Sequence, residues 1–371
     1  MTSSLGDLLA EAGQNAAHYC GLLALVVCPA LVGWLVSRFA ADGAAMRAHR
    51  ARGRITVHDS EELVVLDELQ GGGALRMLVF KSDPTLRQSE VRVCYAADTE
   101  QSHNVSQRAA SASVQHQPVL ASHVNRGFSL GVGLLGAQRL PLRRAEPHSS
   151  GAPKLNAAII GAGGCVLPCW LCGMSPFCRV VAVESSKTVA MAATKFFGTD
   201  CVGPGLSIVV QDGCAFAEAS TSQCFDLLFV TAGGSSTGQG CLLAPPRAMC
   251  TDSFLRHARR LLRPGGLYAV NILGSQAASS KAVLELQVAL HAVGFPTGGF
   301  HVACTSFRCA SERNYILFAS LVDEPVDRKG LLSRLRAGHN LWLQQLGIAE
   351  EQTEDSLVKW LTFSQFKAST T

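Results

Sequence analysis

Leu155-Asn156-Ala157-Ala158-Ile159-Ile160-Gly161-Ala162-Gly163-Gly164 decides the fold of this chain. A short apolar run ends abruptly in glycines, and a second apolar stretch, Cys165-Val166-Leu167-Pro168-Cys169-Trp170, follows at once. The first run has the length and bounding signals of a fully buried strand. The glycines let the backbone turn sharply and let a ligand approach the main chain. The helix expected beyond them offers free N–H groups at its first turn.

Working outward, strand-like runs recur at Arg179–Val183, Leu206–Val210, Phe225–Val230, Leu267–Ile272 and Tyr315–Ala319. Helical windows fall between them at Thr188–Phe197, Asp252–Leu262 and Lys281–Val293. That alternation implies a mainly parallel sheet covered on both faces. Glu184 ends the second strand, where a carboxylate can accept both hydroxyls of a ribose. Asp212-Gly213 ends the third, where an acid can accept from an adenine amino group. All these strand ends meet at one edge of the sheet, the usual ligand crevice of open α/β folds. The turn Gly161-Ala162-Gly163-Gly164-Cys165-Val166 lacks the glycine that a dinucleotide fingerprint carries at its sixth position, and no P-loop Lys-Ser/Thr is near. The crevice therefore suits S-adenosylmethionine better than a dinucleotide.

On Gly161-Ala162-Gly163-Gly164, Glu184 and Asp212-Gly213, the chain resembles the class I S-adenosylmethionine methyltransferases. Further blocks narrow the resemblance: Phe80-Lys81-Ser82-Asp83-Pro84, Gln88-Ser89-Glu90-Val91-Arg92, Ala244-Pro245-Pro246, Asp252-Ser253-Phe254-Leu255 and Leu262-Arg263-Pro264-Gly265-Gly266-Leu267. These are similar to the C-terminal half of the elongation factor 1-alpha lysine and N-terminal methyltransferases, the methyltransferase-like protein 13 family. That half is itself similar to spermidine synthase. Over residues 55–320 the resemblance implies a small β-domain of spermidine-synthase type, then a Rossmann-like sheet. It places Gln88, Gly161, Ala162, Gly163, Glu184, Asp212 and Gly213 on S-adenosyl-L-methionine-binding positions. It also implies a protein substrate such as elongation factor 1-alpha, a cytoplasmic setting and a homodimer.

One departure matters. After strand four the family carries acids, and here the run is Phe229-Val230-Thr231-Ala232-Gly233-Gly234. Thr231 and Gly233 stand where those carboxylates would be. A polycationic polyamine needs carboxylates to offset its desolvation. Aminopropyl transfer is thus disfavoured, and two readings stay open: a protein methyltransferase, or a catalytically silent module of the same fold that binds partners. No side chain is offered as catalytic base. Asp226 lies within the Phe225–Val230 run and is read as a structural strand residue.

Composition fits these readings. Apolar residues make up 48% and charged residues 16% of 371, which sets disorder aside. A net charge of +4 on 32 basic and 28 acidic groups is too even for a dedicated nucleic-acid binder, so no nucleic-acid partner is expected. The fourteen cysteines are scattered rather than packed into a short framework, and read as reduced thiols. Cys165, Cys169 and Cys172 fall at i, i+4, i+7, which puts them on one helix face, as core residues rather than metal ligands.

Residues 1–54 carry an apolar segment. Ala16–Ser37 is a 22-residue run without formal charge, followed by Arg38, Arg47, Arg50, Arg52 and Arg54. Its length fits either a membrane anchor that leaves the catalytic part in the cytosol or a buried core helix. Residues 55–96 read as the small β-domain, with strands at Ile55–Val57, Glu62–Leu66, Leu75–Phe80 and Val91–Val93. Residues 97–153 read as a solvated insertion, then a helix over 128–142 and a linker. Residues 154–322 form the Rossmann-like unit, and 323–371 read as a helical C-terminal extension.

Overall fold

The computed structural model describes residues 53–70, 73–94, 113–114, 120, 122–135, 155–174, 178–202, 204–233, 242–305, 312–327, 329–330, 333 and 361–365. The run Ala16–Ser37 lies outside them. Among the described residues no helix is long and apolar enough to cross a membrane.

Strands β1 (Arg54–Asp59), β2 (Leu63–Gln70), β3 (Gly73–Phe80), β4 (Asp83–Cys94) and β5 (Ser113–Val114) form a small sheet in chain order. Along the first half of β2 burial alternates, with Leu63 and Val65 buried and Val64 and Leu66 half-buried, and the antiparallel register sets Val65 opposite Leu78. Leu63, Val65, Leu78, Val91 and Val93 are buried against Val189, Ala192, Phe196 and Phe197. Two sequence expectations change here. Strand β4 begins eight residues before Val91, because its polar Gln88-Ser89-Glu90 segment is paired although it does not read as a strand. Ser113–Val114, inside the expected solvated insertion, pairs with Cys94 and Val93 of β4.

Helix α1 (His123–Leu134) follows. The expected helix began at 128; the structure starts it at His123, and Leu135 caps it, while 136–142 lie outside the described residues. Gly127 to Leu135 are buried, as the mostly apolar second part of this helix requires. The Phe128 ring lies 5.1 Å from that of Phe229.

The large sheet then alternates with helices: β6 (Leu155–Ile160), α2 (Val166–Met174), β7 (Cys178–Glu184), α3 (Lys187–Phe196), β8 (Leu206–Val210), α4 (Gly213–Ala219), β9 (Phe225–Val230), β10 (Leu242–Ala244), α5 (Asp252–Leu261), β11 (Leu262–Ser275), α6 (Gln276–Ala292), β12 (Phe300–Thr305), β13 (Glu312–Ser320) and β14 (Leu361–Gln365). Its order is β14-β12-β13-β11-β9-β6-β7-β8, with β10 pairing β11 to the side. The five strands β8, β7, β6, β9 and β11 run parallel, while β12, β13 and β14 are antiparallel. This is the expected mainly parallel Rossmann-like α/β sheet, preceded by a small antiparallel one. The C-terminal extension differs from expectation: Leu361–Gln365 is a strand on β12, consistent with the period-two pattern Leu-Thr-Phe-Ser-Gln.

Alternation on β9 divides the interior in two. Leu227 and Phe229 join the core under α1 and α2, and Leu228 and Val230 join the core under α5 and α6. All six β9 residues are buried. Each large apolar side chain so placed contributes about 1.5–3 kcal/mol.

Candidate functional site

The sheet order reverses between β6 and β9, and the crevice beyond a parallel sheet opens at such a point. Ile160 is level with Val183 on one side and Val230 on the other, and Glu184 is level with Val210. Gly161, Glu184, Gln211-Asp212 and Thr231 therefore leave the sheet along one edge.

Gly161 has φ +85° and Gly163 φ +53°, a region that disfavours side chains. A Cβ on Gly161 would also stand 2.4 Å from the Ala232 backbone, so only glycine fits. The Gly161 and Ala162 N–H groups both donate to the Val183 carbonyl, at 2.8 and 3.0 Å. Ala162 is buried with Cys165, Cys169, Ala182 and Ala193.

The remaining turn donors go to side chains. Gly163 N–H donates to Glu184 Oε2 at 2.9 Å, and Gly164 N–H donates to Ser89 Oγ at 2.8 Å. Glu184 is buried, and its Oε1 accepts from Ser186 N–H at 3.0 Å. A carboxylate has about four lone-pair sites. Oε1 also accepts from Ser185 Oγ at 3.5 Å, which leaves the freest acceptor site on Oε2.

Asp212 is exposed and caps α4. Its Oδ1 accepts from both Cys214 and Ala215 N–H at 2.9 Å, which leaves Oδ2 outside the cap. Gly213 opens that helix, packed on Ile160. Gln88 arrives from β4 of the small sheet. Its Oε1 lies 4.0 Å from where a Cβ would stand on Gly233, so it overhangs the end of β9. The structure thus brings all seven sequence-assigned residues to one edge.

The β9 corner is neutral. Thr231 Oγ donates to the Gly161 carbonyl at 2.5 Å and so ties the corner to the glycine turn. Between Asp226 and Asp252 the sequence carries no Asp or Glu. Asp226 is at the other end of its strand, about five residues or roughly 16 Å from Thr231 at about 3.3 Å per residue. Its Oδ2 accepts from Asn156 N–H at 2.9 Å and from Arg263 at 3.0 Å, a structural clamp as expected.

The four cysteines between the glycine turn and the start of β7 lie inward. Cys165, Cys169, Cys172 and Cys178 are buried, and burial pushes the Cys165 thiol up to about 12 and that of Cys172 to about 11. Cys165 itself precedes α2, at φ 57°, rather than lying within it. Sequence reasoning left Ser89, Ser185 and Ser186 without roles. Ser89 sits in the quoted Gln88-Ser89-Glu90 block, but its partner Gly164 is 75 residues away.

No family model matches the chain. Over 228 residues it is 25% identical to the eEF1A lysine and N-terminal methyltransferase of Danio rerio, covering 58% of this chain and 32% of that protein. The homologue in Drosophila melanogaster is 24% identical over 213 residues, covering 56% of this chain and 29% of the relative. The chain is similar to named methyltransferases. It spans about a third of the length of the curated relatives it matches. Among solved structures, a probable spermidine synthase from Corynebacterium glutamicum aligns with TM-score 0.49 and 18% identity, over 76% of this chain and 85% of that one. Human methyltransferase-like protein 13 in complex with SAH aligns with TM-score 0.47 and 22% identity, over 62% and 95%.

Proposed function

We propose that the crevice at the carboxyl edge of the large sheet binds S-adenosylmethionine and that the chain transfers its methyl group to a protein. The fate of the glycine-turn N–H groups carries this reading. A pyrophosphate needs such donors free at the helix N-terminus. Here Glu184 and Ser89 take those of Gly163 and Gly164. An adenosyl group carrying a sulfonium has no such conflict.

In this reading Glu184 accepts the ribose hydroxyls, Asp212 Oδ2 accepts the adenine amino group, and the Gly161–Gly164 backbone lies beside the methionyl part. Gln88 and Thr231 flank the transferring end. When bound, the cofactor supplies an electrophilic methyl group with a neutral thioether as leaving group. The chain's share is alignment and exclusion of water. Among the described residues the β9 corner supplies no acid, and no side chain is assigned as base.

The relatives' names support elongation factor 1-alpha as the target. Isothermal titration tests the first half: S-adenosylmethionine binds and NAD does not. Radiolabelled methyl transfer to purified elongation factor 1-alpha, and to total cell protein, tests the second. A second reading rests on Thr231 and Gly233, which leave the corner without a carboxylate: the chain binds the cofactor and partners but transfers nothing. Binding without labelling of any protein selects it.

A further inference from the structure

We infer that Ser89 is a positioning residue of this site, through which the small sheet sets the shape of the glycine turn; the inference rests on the crevice being an S-adenosylmethionine site. Ser89 is buried on β4 and accepts from Gly164 N–H at 2.8 Å. It also fills the space above the turn. A Cβ on Gly163 would meet its Oγ at 2.8 Å, and one on Gly164 would meet its Cβ at 2.9 Å. The turn is therefore moulded on Ser89 from outside the sheet that carries it.

Two more contacts make the brace rigid. Ser186 Oγ donates to Glu62 Oε2 of the small sheet at 3.2 Å, and the Ser186 N–H holds Glu184. At the other end of α3, Arg76 donates to the Phe196 carbonyl at 3.0 Å. Arg76 is fixed in turn by a buried bidentate pair with Asp67, at 2.8 and 2.9 Å. Three points of the small sheet thus touch the elements around Glu184: the turn and both ends of α3. In the proposed reading the turn held by Ser89 lies beside the methionyl part, while Glu184 and Asp212 serve the nucleoside. Of the three contacts, only that of Ser89 is made to the glycine turn itself.

That asymmetry gives the test. In the full chain, affinities for S-adenosylhomocysteine and for 5′-methylthioadenosine, which lacks the amino acid tail, are measured by titration. Ser89→Ala is expected to weaken S-adenosylhomocysteine about tenfold, as one lost loop hydrogen bond does, and to leave methylthioadenosine within about twofold. Ser89→Cys, which keeps the volume but offers a weak acceptor, is expected to follow it and covers the case in which the alanine variant does not fold. Equal weakening of both ligands means a merely structural role and overturns the inference, as does no weakening of either. A wild-type chain that binds neither ligand overturns instead the reading of the crevice on which the inference stands.

Discussion

Glu184→Gln is the sharpest perturbation of this site, because it changes charge and leaves shape. The carboxylate accepts from Gly163 N–H at 2.9 Å and Ser186 N–H at 3.0 Å, one on each oxygen. The amide has one carbonyl oxygen. One contact survives without its charge assistance, a loss of about 1 kcal/mol. The other sets an amide NH₂ against a buried N–H donor, costing about 1–3 kcal/mol. Folding stability should fall by about 2–4 kcal/mol, or on the order of 3–6 °C in melting temperature for a chain of this size. Separately, the ribose hydroxyls would lose a charged acceptor, worth about 1.5–3 kcal/mol, which is roughly 10–150-fold in Kd. Differential scanning fluorimetry reads the first quantity and titration with S-adenosylhomocysteine the second. A Glu184→Gln chain that melts several degrees lower yet binds with wild-type affinity would refute the ribose role while leaving the loop contact standing. One that is unchanged in both would refute the geometry.

Gly161→Ala should abolish both folding of the turn and ligand binding, since the new methyl meets the Ala232 backbone; a soluble variant with native circular dichroism and intact binding contradicts this. Arg76→Met should cost about 3–5 kcal/mol in urea titration by removing the bidentate partner of the buried Asp67 carboxylate, and Asp67→Leu/Arg76→Met together should recover most of it; equal losses in single and double variants would show that the pair is not the cause. Asp226→Asn should lower stability and leave S-adenosylhomocysteine affinity unchanged, because it loosens the Asn156–Arg263 clamp far from the crevice; loss of methyl transfer with stability intact would make it the base instead. The buried thiols of Cys165 and Cys172 titrate higher folded than unfolded, so the unfolded chain releases protons first as pH rises. Their contribution is complete below the ordinary thiol value of 9.0 and is lost between there and about 11–12, so denaturant midpoints should fall with pH over that window. A flat profile there excludes them.

Strands β6, β8 and β9 stand at the residues their sequence indicates, because each is an apolar run closed by a turn signal or an acid. The crevice was legible for the same reason: Gly161, Glu184 and Asp212 each end a strand, and a parallel sheet sends all such ends to one edge. Two features hid from that logic. The middle of β4 is polar because Ser89 meets the glycine turn and Gln88 overhangs the end of β9, so no alternation marks it. Strand β12 carries His301 at a fully enclosed position, which breaks its apolar signature. Thr231 illustrates a different limit. Its sequence position tells only that an acid is missing, while the hydroxyl's contact with Gly161 depends on where two strands end in space.

The last described segment also has a practical consequence. Leu361–Gln365 covers the outer side of β12 with a ladder from Thr305 to His301. A chain trimmed before Leu361 bares a row of unsatisfied amides and carbonyls on a six-residue strand, a template for self-association. Clumping of such a shortened protein during purification would reflect this stripped flank, and not a failure of the interior to assemble.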